Sequence, residues 1–340
     1  MTAPATELLG TWFADAAGPV DRGEDDVRTG LRMLGERDLI APSGSGAAHA
    51  VRLVEGIARD CMSSAFATWA QRMTVEYLSH ADRPDAALTD AVRRAGRIGA
   101  TAMAPALRDL AGLEPVPVVA TPAADGGLVL DGPIRWASNL FDDAVVVLPV
   151  RLGTDGRAVV RICTTDDGVH RAPRPTLLAL NGTGSTSVRL EGVRVAPEAV
   201  LSRDMRSFVG AIRPTFLLVQ SAFCSGLAGR SADAALQGAT GTSEPLAPDA
   251  RAVAERAADV HDRLHTLAAD PAAAGPAELL RLRLDAASTA TDATRVESAV
   301  RGGAGYVASS DVARRLREGA FLPVQAPTEG HLRWELSRSL

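Results

Sequence analysis

Trp136 and Ser138 stand two residues apart in the stretch from Gly132 to Asn139 (GPIRWASN). Side chains alternate along an extended strand, so these two project to one side, roughly three to seven ångström apart. An indole edge with a hydroxyl beside it suits the side of a flat conjugated ring. The plainer reading is a half-buried tryptophan packing one domain on another, with serine as solvent-facing filler. Gly302, Gly303 and Gly305 (RGGAGY, from Arg301) allow close approach of a backbone to a ligand, or a helix-to-helix turn with positive φ. His331, within APTEGHLRWEL, reads by itself as a surface helix residue. Glu329 follows Thr328, a pair that favours a helix N-terminus electrostatically.

Other chemistry is excluded by composition. All 36 basic residues are arginine, so Schiff-base catalysis and a phosphate-loop lysine are ruled out. Cys61, Cys163 and Cys224 are far apart and form no paired ligand spacing, which argues against a disulfide framework and a structural zinc, and no metal is expected. A net charge of −5 with scattered arginines gives no basic stripe for nucleic acid. There is no uninterrupted apolar run of about 18 residues, so a cytoplasmic protein without a membrane span is expected.

The elements that must position these residues fall into three blocks. With 340 residues, 46% of them hydrophobic, two or three packed units are expected. Up to residue 112, stretches such as DDVRTGLRMLGERDL and HAVRLVEGIARDCMSSAFATWAQRMTVEYLSHA place apolar residues at helical steps. Residues 113–204 consist of short β-branched runs separated by Gly, Asp and Pro, which predicts an antiparallel sheet. From 205 to 340 the chain is helical again, with Gly- and Pro-containing connections, and predicts a four-helix bundle.

This order of blocks resembles the acyl-CoA dehydrogenase superfamily, an α+β fold with an N-terminal helical domain, a middle β domain and a C-terminal four-helix bundle. Three local stretches carry the resemblance. GPIRWASN (132–139) is similar to the family's Gly-x-Lys-x-Trp-Ile-(Thr/Ser)-Asn strand, LNGTGSTSVRLEGVRVAP (180–197) to the segment closing the β domain, and RGGAGYVASSDVARRLRE (301–318) to Gly-Gly-x-Gly-Tyr followed by Arg-x-x-Arg-Asp. The resemblance implies a flavin, FAD in the family, with its isoalloxazine ring against Trp136 and Ser138. It further implies that Thr101 and Met103 offer backbone groups to the ring, and that Gly302 and Gly303 approach the adenosine part on a neighbouring subunit. Arg314 and Arg317 match the paired arginines, and ion-pairing with Glu318 or a neighbouring helix is their expected role.

The sequence also departs from the family. Where dehydrogenases carry the glutamate that removes an α-proton from a thioester, this chain has Ala326, counted back from Arg333; matching Glu-Gly literally makes Glu329 the candidate base. The other family position, within 213–218, holds no carboxylate. The loop after Gln237 lacks the Phe and Gln that clamp FAD, so FMN or no flavin are also open. A side branch of flavin-dependent monooxygenases uses no glutamate base and carries histidine near that place, which makes His331 a second catalytic candidate; His80, after a long helix, is similar to that branch too. Three expectations result: an oxidoreductase on an acyl thioester or related carbonyl compound, a two-component monooxygenase fed by a flavin reductase, or a silent member of the fold. An assembly is expected, as a homo-oligomer or with a related subunit, because the bundle helices carry wide apolar faces.

Overall fold

The computed structural model describes residues 11–338, so the first residues of the expected N-terminal helical block lie outside it. That block contains α1 (Trp12–Arg22), α2 (Arg28–Glu36), α3 (Ala47–Ala58), α4 (Met62–Ser79) and α5 (Ala86–Arg93), followed by strand β1 (Gly99–Thr101) and α6 (Ala104–Leu110). Helix α4 is buried on nearly all sides, which is how a helix without a polar face is stabilised. Its first turn is capped by Cys61, whose Sγ accepts from the Ser64 N–H.

The middle block contributes β2 (Val119–Pro122), β3 (Leu128–Ala137), β4 (Val145–Leu152), β5 (Gly156–Cys163), β6 (Val169–Arg171), β7 (Thr186–Val195) and β8 (Val200–Ser202). They lie in the order β6-β7-β3-β2-β4-β5-β8, with β1 added beside β4. The expected antiparallel sheet is in fact mixed. Both β1 and β2 run parallel to β4, pairing with its first and last residues in turn, while α6 leaves the sheet between them. β1 is a three-residue strand inside the stretch that reads as helical, too short for its period to register against helices on either side.

The C-terminal block is α7 (Met205–Gly238), α8 (Ala247–Ala269), α9 (Pro276–Arg301), α10 (Asp311–Phe321) and the short α11 (Glu329–Leu336). Helix α7 is long and apolar enough to cross a membrane by length and composition, but 72% of its apolar stretch is buried inside the fold, as in the core helix of a globular protein. The helices form one continuous apolar core that takes in Val145 and Val147 of β4 and Val159 of β5, and most of the rest of the sheet forms a second. In α10 two buried arginines make ion pairs, Arg314 of the matched Arg-x-x-Arg with Glu318 at 2.8 Å, and its neighbour Arg315 with Glu297 of α9. Arg317 reaches Asp21 of α1.

Candidate functional site

A cleft of about 650 Å³ opens where all three blocks meet. Its floor is a group of aromatic rings in a chain with only seven Phe and four Trp. Phe66 and Trp69 of α4 stack at 5.3 Å, Phe216 of α7 meets Trp69 edge-on at 5.3 Å, and Phe321 of α10 meets Phe66 edge-on at 5.1 Å. Such contacts contribute about 0.5–1.5 kcal/mol each beyond area burial, so the floor is fixed before any ligand arrives. The buried indole N–H of Trp69 has no partner among the described residues. Leaving such a donor unmatched costs roughly 1–3 kcal/mol, which a ligand acceptor could recover.

Trp136, Ser138, Thr101 and Met103 all line this cleft. Trp136 leaves 59% of its surface uncovered, so it is a wall of the cleft and not a plug between domains. The residue that holds this wall in place is Asn139, at the end of the GPIRWASN stretch and completely buried. Its backbone is in the left-handed region at φ 60°, its N–H donates to Thr183 O, and Nδ2 donates to Ala67 O of α4 and Gly99 O of β1, each at 3.0 Å. One amide therefore fastens the sheet end to both neighbouring elements. The tolerance of asparagine for positive φ is the one signal of this task that the GPIRWASN stretch carries.

Thr101 is held from behind. The Tyr77 hydroxyl of α4 lies 3.1 Å from Thr101 Oγ1, and burial pushes the Tyr77 phenol well above its ordinary range, so it stays neutral. Gln71, one helical face away, accepts from the Gly99 N–H at 2.7 Å and donates to Val92 O and Arg97 O, which fixes the start of β1.

Ser138 ends a chain of hydroxyls whose proton directions follow from elimination. Thr183 Oγ1 lies 2.7 Å from Leu180 O, and a carbonyl only accepts, so Thr183 donates there. Ser185 must then donate to Thr183, and Ser138 to Ser185, both at 2.7 Å. The Ser138 proton is thereby committed, and its oxygen can act toward the cleft as an acceptor.

The remaining candidates lie elsewhere. Ala326 and Thr328 line the cleft, and Ala326 O accepts from Gln220 Nε2 and Gln325 Nε2 at 2.9 and 2.8 Å. Glu329 does not line it. It begins α11 behind the Thr328 cap, is 44% exposed and pairs with Arg333 at 2.7 Å. His331 is buried at the other side of α11, with Nε2 2.9 Å from Glu335, which also binds Arg213 of α7 at 2.6 Å. Burial pushes the Glu335 carboxyl up, but contact with His331 and Arg213 outweighs it and holds the group below the ordinary carboxylate range. The one carboxylate lining the cleft among the described residues is Glu114, paired with Arg108 at 3.1 Å and Arg135 at 2.6 Å. Gly302 and Gly303 are exposed on the turn after α9, away from the cleft lining. Gly302 adopts φ 59°, ψ −146°, a backbone state essentially confined to glycine. The exposed Tyr306 and Val307 follow on the same turn.

A flavin fits part of this arrangement. Trp136, Ser138, Thr101 and Met103, with the Trp69 N–H, would hold the ring system in the cleft; the Gly302 turn would serve an adenosine part only from another subunit. No protein-family model and no curated protein matches the chain. Solved structures do. The acyl-CoA dehydrogenase from Geobacillus kaustophilus superposes with TM-score 0.83 at 14% identity over 99% of this chain and 98% of that one. A glutaryl-coenzyme A dehydrogenase in complex with glutaryl-CoA gives 0.83 at 16% identity over 99% and 95%. The FAD complex of PigA gives 0.81 at 13% identity over 100% and 98%. At these identities the likeness is one of architecture, and the chain carries the acyl-CoA dehydrogenase fold.

Proposed function

We infer that this chain is a flavin-dependent oxidoreductase of the monooxygenase kind, taking reduced flavin from a separate reductase and acting on a mostly apolar compound. The observation that carries the reading is the cleft itself: an aromatic, apolar chamber with Trp136 and Ser138 on one wall and no unpaired carboxylate among the described residues lining it. Removing an α-proton from a thioester needs a base within hydrogen-bond reach. Glu329 is turned to solvent with Arg333, and Ala326 has no functional group. Base-dependent α,β-dehydrogenation is therefore poorly served.

A flavin supplies the redox chemistry when bound. The protein's own part is to bind and orient. Ser138, with its proton committed to Ser185, offers a lone pair, and this suits a ring nitrogen that carries hydrogen, as the reduced ring has. The aromatic floor of Phe66, Trp69, Phe216 and Phe321 offers an apolar face to whatever lies above it. The FAD complex of PigA, on the same fold, adds support for FAD as the flavin. The glutaryl-CoA complex, on the same fold, lends support to a thioester-bearing compound as the substrate.

The test is anaerobic titration of the purified protein with reduced and with oxidised FAD and FMN. Tighter binding of a reduced flavin, together with no reduction of an artificial electron acceptor by acyl-CoA esters, is the expected result. Acyl-CoA-dependent dye reduction would overturn it in favour of a dehydrogenase, and indifference to every flavin would leave a binding protein without redox activity.

A further inference from the structure

A second cleft of about 830 Å³ lies on the far side of α7, between α3 and α8. At its wall Glu55 of α3 meets His261 and His265, which stand one helical turn apart on α8 and so share a face. His261 Nδ1 is 2.9 Å from Glu55 Oε1 and His265 Nε2 is 2.7 Å from Oε2, and one donor atom from each of the three residues lies within 4.8 Å of the others. We propose that Glu55, His261 and His265 form a binding site for a divalent first-row transition metal, with zinc as the working probe.

Two imidazoles and one carboxylate are a donor set that suits zinc, cobalt, nickel or iron. Donors on one ion at about 2.1 Å would stand roughly 3–3.5 Å apart, so the three need only small side-chain rotations. Three protein ligands beside an open cleft leave further coordination positions for water or a small ligand, the pattern of an accessible site and not of a closed structural one. The carboxylate is also pre-oriented. Ser225 of α7 donates to Glu55 Oε1 at 2.6 Å, the outer contact that ligating carboxylates commonly have. Gly226 makes this possible, because a side chain there would come within 2.3 Å of Glu55 O and push α3 away from α7.

Charge points the same way. Glu55 is buried, yet no arginine answers it, although Arg52 and Arg59 line the same cleft and Arg59 pairs with Asp233 instead. Both histidine rings keep exposed surface, 52% for His261 and 27% for His265, so an ion can reach them.

The experiment uses tag-free, chelator-treated full-length protein, with zinc binding by calorimetry and cobalt binding by visible absorption. One ion per chain is expected, with cobalt bands showing nitrogen ligation, and binding should weaken as pH falls because protons compete with the metal for its ligand atoms. His265→Gln still donates to Glu55 but is a poor ligand, so its fold, checked by circular dichroism, should survive while zinc affinity falls by about a hundredfold or more. Ser225→Ala should weaken affinity by about 10–100-fold. Absence of one-to-one binding in the unaltered protein, or a loss below about tenfold in both His265→Gln and His261→Gln, would overturn the proposal.

Discussion

Replacing Trp136 with alanine separates a ligand wall from a packing residue. With 59% of Trp136 exposed, about 90–150 Å² of a side chain that buries roughly 150–250 Å² is free for a ligand to cover. At about 25 cal/mol per Å², full coverage would contribute roughly 2–4 kcal/mol, and half coverage about 1–2 kcal/mol. Even half coverage raises the flavin Kd about fivefold to thirtyfold when the indole is removed. The covered remainder packs on the protein and sets an upper limit of about 1.5–2.5 kcal/mol on lost stability, below the ~3–5 kcal/mol of a fully buried aromatic. Flavin binding by fluorescence quenching and melting by calorimetry would be measured on Trp136→Ala and on Trp136→Phe, which keeps an aromatic face. Expected are a Kd at least fivefold higher in the alanine variant and substantial recovery in the phenylalanine variant. A Kd unchanged within twofold, with stability lost in full, would refute the reasoning.

Glu329→Gln should leave turnover within about twofold and stability within about 0.5 kcal/mol, because its exposed pair with Arg333 is worth little; a hundredfold loss of turnover would restore Glu329 as a base. Glu335 has a folded pKa held below the unfolded value near 4.3, so its contribution is present above that pH and lost as pH falls through the folded pKa. Chemical denaturation followed from about pH 6 to 3 should accordingly show a flatter acid limb for Glu335→Gln, and parallel curves would exclude Glu335 as a source of the acid sensitivity. Light scattering at micromolar concentration should give a mass of at least two 35.4 kDa chains, with Tyr306, 83% exposed beside the Gly302 turn, covered by a neighbour; a monomer would refute this.

The order of helices, strands and helices was legible because each block carries its own hydrophobic period, and GPIRWASN could be read as a strand, which runs to Ala137 with a register shift after Ile134 and leaves Ser138 just beyond it. Local sequence also specified the last helix, since Thr328 caps α11 just ahead of Glu329. The parallel placement of β1 was not legible, because three residues carry no period and their partner, β4, begins more than forty residues later. Nor was the task of Asn139, whose amide meets Ala67 O and Gly99 O only when α4, β1 and β3 converge. The His261 and His265 spacing stands in the sequence, but their third partner is Glu55, about two hundred residues earlier. Whether a carboxylate faces a cleft or water, as Glu329 faces water, depends on how α11 is seated against α7 and α9. Hydrophobic period and capping are properties of neighbours along the chain, so sequence alone determined the elements. Juxtaposition of side chains depends on how those elements pack, and only the tertiary structure decided it.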